Sequence, residues 1–198
     1  MKNKTIRILA LAVLLVAALS SCRDTSKSEQ SAQSANATVA KQMIDEQLSE
    51  DILPDAPSSP ILDMTSMLSA EDMKDITETI DELDSLGLAQ VAVVTVNDLG
   101  GMEALDYATK LANKWGVGHK ETNDGIVILV KPKTDDTPEG KGKAAIATGI
   151  GMQKLLTDDM CKRIIDEVMV PEFKKEKYGE AIEKALDKIK DILTGDKD

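Results

Sequence analysis

Ile126 to Val130 is an unbroken run of five apolar residues, four of them β-branched. Such a run leaves no face suited to water, which favours a central strand covered on both sides. Lys131–Gly142 then reads as a loop rich in Pro, Asp, Thr, Lys and Gly, and Ala144–Thr148 is a second short apolar run. Two short strands joined by a polar loop form an antiparallel pair. That pairing sets the start of one strand beside the end of the other, so Asp124 is expected near Thr148-Gly149-Ile150-Gly151. The chain next enters a helix through Leu156-Thr157-Asp158. Two carboxylates and a Gly-rich turn are therefore expected at one edge of the sheet.

The segments on either side supply the rest of an architecture. Gln90–Val96 is a Val-rich run that reads as a strand, and Asn97–Gly101 is a turn. Met102–Trp115 is an amphipathic helix with Leu105, Ala108, Leu111 and Ala112 inward, closed by Gly116 and Gly118. Strand, helix, strand in that order is a parallel βαβ unit, which is right-handed in nearly all proteins. Upstream, Ser69 with Asp72 has the form of a helix N-cap with an acid three residues on. Met73, Ile76, Ile80, Leu83 and Leu86 then form a helical stripe, and Gly87 stops it. Thr157–Met169 is a third helix, interrupted by Pro171, and Glu176–Leu193 is a fourth. Helices on both sides of a small mixed sheet give an α/β fold, a three-layer α/β/α sandwich.

The first 60 residues read differently. Lys2, Lys4 and Arg7 precede an apolar core, Ile8–Leu19, and Leu19-Ser20-Ser21-Cys22 follows. The core is shorter than the ~18–20 apolar residues of a spanning helix. Basic, apolar and small residues before a cysteine resemble a bacterial lipobox, with residues 1–21 as signal peptide and Cys22 as the lipidated first residue. An ordinary secretory signal with a chance cysteine is the plain alternative. Arg23–Pro60 is mostly Ser, Ala, Gln, Asp, Glu and Pro, so residues 22–60 read as anchor and flexible linker. Val39–Ile52 has apolar residues at roughly helical spacing, ended by Pro54, Pro57 and Pro60. The folded domain is expected over residues 61–195. Signal removal takes away three positive charges and shifts the formal net charge from −11 to −14. That acidity does not suit nucleic acid. Cys161 lies on an apolar helical stripe with Ile164, Ile165 and Val168 and reads as a small core residue.

Several short motifs then fall in one order. They are Ile61-Leu62-Asp63-Met64-Thr65 with Leu68-Ser69, then Gln90–Thr95, then Asn113–Gly118, then Asn123–Val130. Thr148–Gly151, Leu156-Thr157-Asp158, Pro171-Glu172-Phe173 and Tyr178-Gly179 follow. Together they resemble the TPM domain family over about Ile61–Leu193. The resemblance implies an α/β/α sandwich with an acidic surface groove, export or membrane tethering, divalent-metal binding in some bacterial members and acid phosphatase activity in some plant members. Against the family pattern, Ile150 replaces an aromatic residue and Gln153 replaces an acid. The Lys131–Gly142 loop is longer than usual, and a C-terminal membrane segment is missing.

The resemblance places acidic motif positions at Asp63, Asp124 and Asp158. Such carboxylates suit a hard cation, Ca²⁺ or Mg²⁺, which could act on a phosphate ester as Lewis acid or orient a water. Alternatively, one aspartate attacks phosphorus and another serves as general acid. Each has a structural alternative: Asp158 as an early helix residue behind a Thr157 cap, Asp124 as a turn residue, and Asp63 as the cap of a local turn. Ligands of open α/β sheets bind beyond the carboxyl ends of the strands, which makes Asn97, Asp98 and Gly100 a second candidate site. His119 reads as an exposed loop residue and Trp115 as a packing anchor. There is no Ser-His-Asp set, CxxC, GxGxxG or Walker loop. Two readings follow. One is an envelope-facing lipoprotein, on the periplasmic or extracellular face, that binds a divalent cation and hydrolyses phosphomonoesters. The other is a non-enzymatic, monomeric module that assists membrane-protein partners.

Overall fold

The computed structural model describes residues 52–135 and 140–195. The signal segment, Cys22, the linker through Asp51 and residues 136–139 of the polar loop lie outside these described residues. In chain order the elements are β1 (Ile61–Asp63), α1 (Ala70–Ser85), β2 (Gln90–Thr95), α2 (Ala104–Trp115), β3 (Gly125–Lys131) and β4 (Lys143–Thr148). After these come α3 (Asp158–Arg163), a π-helical stretch (Ile164–Met169), α4 (Val170–Phe173) and α5 (Tyr178–Thr194). The sheet order is β1-β2-β3-β4, with the first three strands parallel and β4 antiparallel to β3.

β3 is buried along its whole length, as its apolar run requires. Ile126, Ile128 and Val130 face a core shared with Ile76, Ile80 and Leu83 of α1, Ile164 and Met169, and Ile182, Leu186 and Ile189 of α5. Val127 and Leu129 face the opposite core, with Tyr107, Ala108 and Leu111 of α2. Each of these large side chains contributes about 1.5–3 kcal/mol by leaving water, so the sandwich is held from both faces of one strand. On β4, the small Ala145 and Ala147 take up the α2 side.

The caps are those the sequence indicates. The Ser69 side chain accepts from the Asp72 N–H at 3.0 Å, and the Asp72 carboxylate accepts from the Ser69 N–H at 2.8 Å. Gly87 and Gly116 turn with positive φ, 64° and 65°, behind α1 and α2.

Three features depart from expectation. First, β1 is a strand: Ile61–Asp63 pairs with Val93–Thr95. Second, α1 and α2 lie on opposite faces although both crossovers step the same way across the sheet. Successive crossovers in one direction have the same hand only when their helices share a face. One of the two βαβ units is therefore left-handed, against the usual preference.

Third, Pro171 does not interrupt the third helix. In an α-helical ladder the proline ring would clash with the Glu167 carbonyl and leave it without a donor. The helix instead widens into π turns over Ile164–Met169, where the Val170 N–H donates to the Ile165 carbonyl, and resumes as α4. Packing also begins ahead of Ile61. Leu53 is buried against the α2 core, its carbonyl accepts from Lys114 Nζ at 2.6 Å, and the Pro54 carbonyl accepts from Trp115 Nε1 at 2.9 Å. Among the described residues no helix is long and apolar enough to cross a membrane.

Candidate functional site

Asp63 ends β1 and fixes the path into α1. One of its oxygens accepts from the Thr65 N–H at 3.0 Å, the Thr65 hydroxyl at 2.8 Å and the Thr95 hydroxyl. The other accepts from the Leu68 N–H at 2.9 Å. Burial pushes this carboxyl upward, but the bonds from Thr95, Leu68 and Thr65 outweigh it and hold the pKa below its ordinary value. This corner is the carboxyl end of β1 and β2, where open α/β sheets usually take ligands. Here the loop's own groups occupy it. Asn97 Nδ2 donates to the Met64 carbonyl at 3.1 Å, and Asp98 accepts from the Gly100 N–H at 3.1 Å in a local turn.

Asp124 precedes β3 and is 3% exposed. It accepts from the His119 N–H at 2.8 Å and the Thr122 hydroxyl at 2.6 Å, and His119 Nδ1 lies 3.2 and 3.1 Å from its two oxygens. Burial again raises the pKa, and the bonds from Thr122 and His119, with the His119 charge, lower it further than burial lifts it. A carboxylate at Nδ1 makes that nitrogen the donor. Nε2 faces Asp84 of α1 at 3.6 Å.

The Gly-rich turn meets this loop as expected. The Gly149 N–H donates to the Gly125 carbonyl at 2.7 Å and the Gly151 N–H to the Asn123 carbonyl at 3.0 Å. A Cβ on Gly149 would run into the Asn123 carbonyl, and one on Gly151 into that of Thr122. The two glycines therefore serve close backbone approach. A cavity of about 480 Å³ opens here, lined by His119, Lys120, Asn123, Ile150 and Gln153 among others.

Asp158 lies elsewhere. It is the first residue of α3, behind Thr157, whose side chain accepts from the Met160 N–H at 3.3 Å. Its acid also suits the positive end of the helix. Nor do Asp63 and Asp124 meet. Thr95, beside Asp63, is separated along β2 from Gln90, beside Gly125. At about 3.3 Å per residue that is about 16 Å. One Ca²⁺ or Mg²⁺ ion needs its oxygens within one shell of about 2.0–2.6 Å, so these three aspartates do not fit a shared ion. Among the described residues no group of three or more His, Cys, Asp or Glu side chains is placed to hold a metal.

Asp158 instead lines a groove along the outer edge of β4. The Gly149–Gly125 bond sets the antiparallel alternation. Lys143, Ala145 and Ala147 spend their backbone groups on β3, and Ala144, Ile146 and Thr148 present theirs outward. One part of the groove, about 450 Å³, lies between the start of α2 (Glu103, Leu105) and Asp158, Cys161, Lys162 and Ile165. A second part, about 400 Å³, shares Lys143, Ala144 and Ile165 with the first and continues to Val170, Phe173 and Tyr178. The π-helical stretch borders both.

The TPM domain family profile matches residues 61–192. The chain belongs to the TPM domain family. Solved structures agree on the fold. The N-terminal domain of a P. gingivalis protein is 25% identical, covering 70% of this chain and 83% of that one, with a TM-score of 0.60. The BA42 protein of Bizionia argentinensis is 17% identical over 67% of this chain and 85% of that one, TM-score 0.54. The N-terminal domain of the cg2496 protein of Corynebacterium glutamicum is 12% identical over 74% and 88%, TM-score 0.53. No curated protein matches the chain.

Within this TPM domain, Ile150 stands at the tip of the Gly-rich turn, 78% exposed, and Gln153 beside it lines the His119 cavity. His119 is the exposed loop residue the sequence indicates, but its bond to Asp124, and that of Thr122, were not expected. The signal was present in their spacing: a histidine and a hydroxyl five and two residues ahead of an aspartate can curl onto it when the chain turns, as it does at Asn123 with φ 52°. Thr65 and Thr95, which hold Asp63, were likewise not expected. No sequence signal joins Thr95 to Asp63, because β-pairing alone brings them together.

Proposed function

We propose that this chain is an envelope-facing lipoprotein, anchored through Cys22, whose TPM domain is a binding module that helps assemble or maintain membrane proteins. The observation that carries this reading is the outer edge of β4. Its Ala144 and Ile146 backbone groups open into a groove with an apolar floor. An exposed edge is a template for another strand, and strand addition is a recurring mode of peptide recognition. The geometry of the aspartates supports the same side, since Asp63 spends its oxygens on its own loop and on Thr95, and Asp124 on its own loop. The test is a photo-crosslinking residue placed at Ala144 in cells, with Lys188 on α5 as control. Crosslinks to membrane proteins at position 144, absent at 188 and dependent on Cys22, are expected. Equal crosslinking at both positions, or none at 144, overturns the reading.

A second reading retains phosphomonoester hydrolysis with a divalent cation, and one observation favours it: His119, held by Asp124, borders a cavity beside the Gly-rich turn. Hydrolysis of p-nitrophenyl phosphate that is abolished in His119→Gln, at unchanged stability, would support it. Activity that survives the substitution would reject it.

A further inference from the structure

We propose that this TPM domain is complete without a divalent cation, because donors of the chain itself take the places a cation would fill at the acidic motif positions. The proposal goes beyond the binding-module reading and does not depend on it. From the second reading it takes away the cation and leaves the chemistry of His119 to its own test. Ca²⁺ takes about six to eight oxygen ligands and Mg²⁺ about six, several of them waters. A site waiting for either ion therefore turns carboxylate and carbonyl oxygens with free lone pairs toward one centre. Asp63 does the opposite. A carboxylate has about four lone-pair positions, and four donors meet this one: the N–H groups of Thr65 and Leu68 and the hydroxyls of Thr65 and Thr95.

Asp124 is closed in the same way. The His119 N–H and the Thr122 hydroxyl each donate to one of its oxygens, and His119 Nδ1 lies within 3.2 Å of both. Its side chain is 4% exposed, which leaves little room for an ion that keeps its waters. The carbonyls around it are engaged as well. Those of His119, Asn123, Gly125 and Gly149 accept from the N–H groups of Asn123, Gly151, Gly149 and Met152 at 2.7–3.0 Å. The adjoining cavity adds no acid, since His119 and Lys120 are the only titratable residues that line it. Asp158 is exposed, but the other acids of its groove are paired, Glu103 with Lys143 and Asp166 with Lys162. The hydroxyls, the imidazole and the backbone N–H groups thus do at these loops what a cation does elsewhere: they fix a carboxylate and draw its loop together.

The experiment uses the full chain in detergent, dialysed against EDTA and then titrated with Ca²⁺ or Mg²⁺. The titration runs to about 10 mM, about ten times the weakest Kd usual for an extracellular calcium module. Equilibrium dialysis is expected to show no saturable uptake, and Tm is expected to be the same in EDTA as with either ion. Uptake that grows in proportion to concentration is the ion atmosphere of a chain with a formal charge of −11 and agrees with the proposal. Saturable uptake overturns it, and its loss in Asp63→Asn, Asp124→Asn or Asp158→Asn locates the ion. Amide exchange over residues 63–68 and 118–124 gives a second readout. It should be unchanged by either ion, and a tenfold slowing in either loop overturns the proposal even where uptake is too weak to saturate. The binding-module reading stands or falls separately, on the crosslinks at position 144.

Discussion

Asp124→Ala separates the structural reading of this residue from the catalytic one. The substitution removes the acceptor for the His119 N–H, the His119 ring and the Thr122 hydroxyl in a position 3% exposed. Hydrogen bonds to a charged group are worth about 1.5–3 kcal/mol each. The three do not add in full, because the loosened 118–123 loop can turn its donors to water. A loss of about 3 kcal/mol is expected, a large share of the 5–15 kcal/mol that holds a typical domain. For a domain of this size that lowers Tm by about 10 °C. Urea unfolding followed by Trp115 fluorescence reads it directly, since Trp115 is the single tryptophan and is bonded to the Pro54 carbonyl. Far-UV circular dichroism should give the same midpoint. A loss under about 0.5 kcal/mol, within the range of ordinary surface substitutions, would refute the reasoning. It would mean that the carboxylate is not what holds this loop, and it would restore Asp124 as a group kept for a ligand.

Four further outcomes follow from the same geometry. Asp63 and Asp124 both have folded pKa values below their ordinary 3.8. Their stabilisation is therefore fully present above that value and is lost as pH falls through the lower folded values. Acid unfolding curves should show it, with a shallower acid limb in Asp124→Asn. Asp63→Ala should lower the urea midpoint by an amount corresponding to about 2–3 kcal/mol, less than Asp124→Ala because the site is only half-buried. Gly149→Ala forces a Cβ against the Asn123 carbonyl and should cost about 1–3 kcal/mol as an overpacking change, again read from the urea midpoint. Burial, with Asp158 nearby, pushes the Cys161 thiol up to about 11, so a maleimide should label it at pH 8 only as fast as the domain opens.

Much of this fold was legible in the sequence. β3 showed itself because five apolar residues in a row fit few other places, and α1 because Ser69, Asp72 and Gly87 mark both ends of a 3.6-residue stripe. β1 was not legible as a strand. Three residues carry no periodicity, and Ile61–Asp63 becomes one only by pairing with Val93–Thr95. The widened helix was missed for a related reason: Pro171 signals a broken ladder, but whether the chain stops or widens depends on what the flanking turns pack against. Ile164 and Met169 are buried on the α5 side, which favours carrying the helix through. At the site, the hairpin argument correctly brought Asp124 to the Gly149–Gly151 turn. It could not reach Asp63, whose place depends on strand order.

That order also explains why the acidic motif positions serve different ends. With β1, β2 and β3 parallel, the carboxyl end of β1 and the amino end of β3 lie at opposite edges. Asp63 and Asp124 are then separated by the length of β2, whatever the loops do. Each solves a local problem that such edges pose. A loop leaving or entering a buried strand carries backbone N–H groups that need acceptors, and a carboxylate can take several at once. The remaining requirement is at the sheet's lateral margins. β1 is too short to template a partner strand, while β4 borders the groove over Lys143–Ile146, between α2 and the π-widened helix. Asp158 stands on that margin as the first residue of α3. The fold thus commits Asp63 and Asp124 to backbone and hydroxyl donors near them and leaves the outer edge of β4 without a strand partner among the described residues.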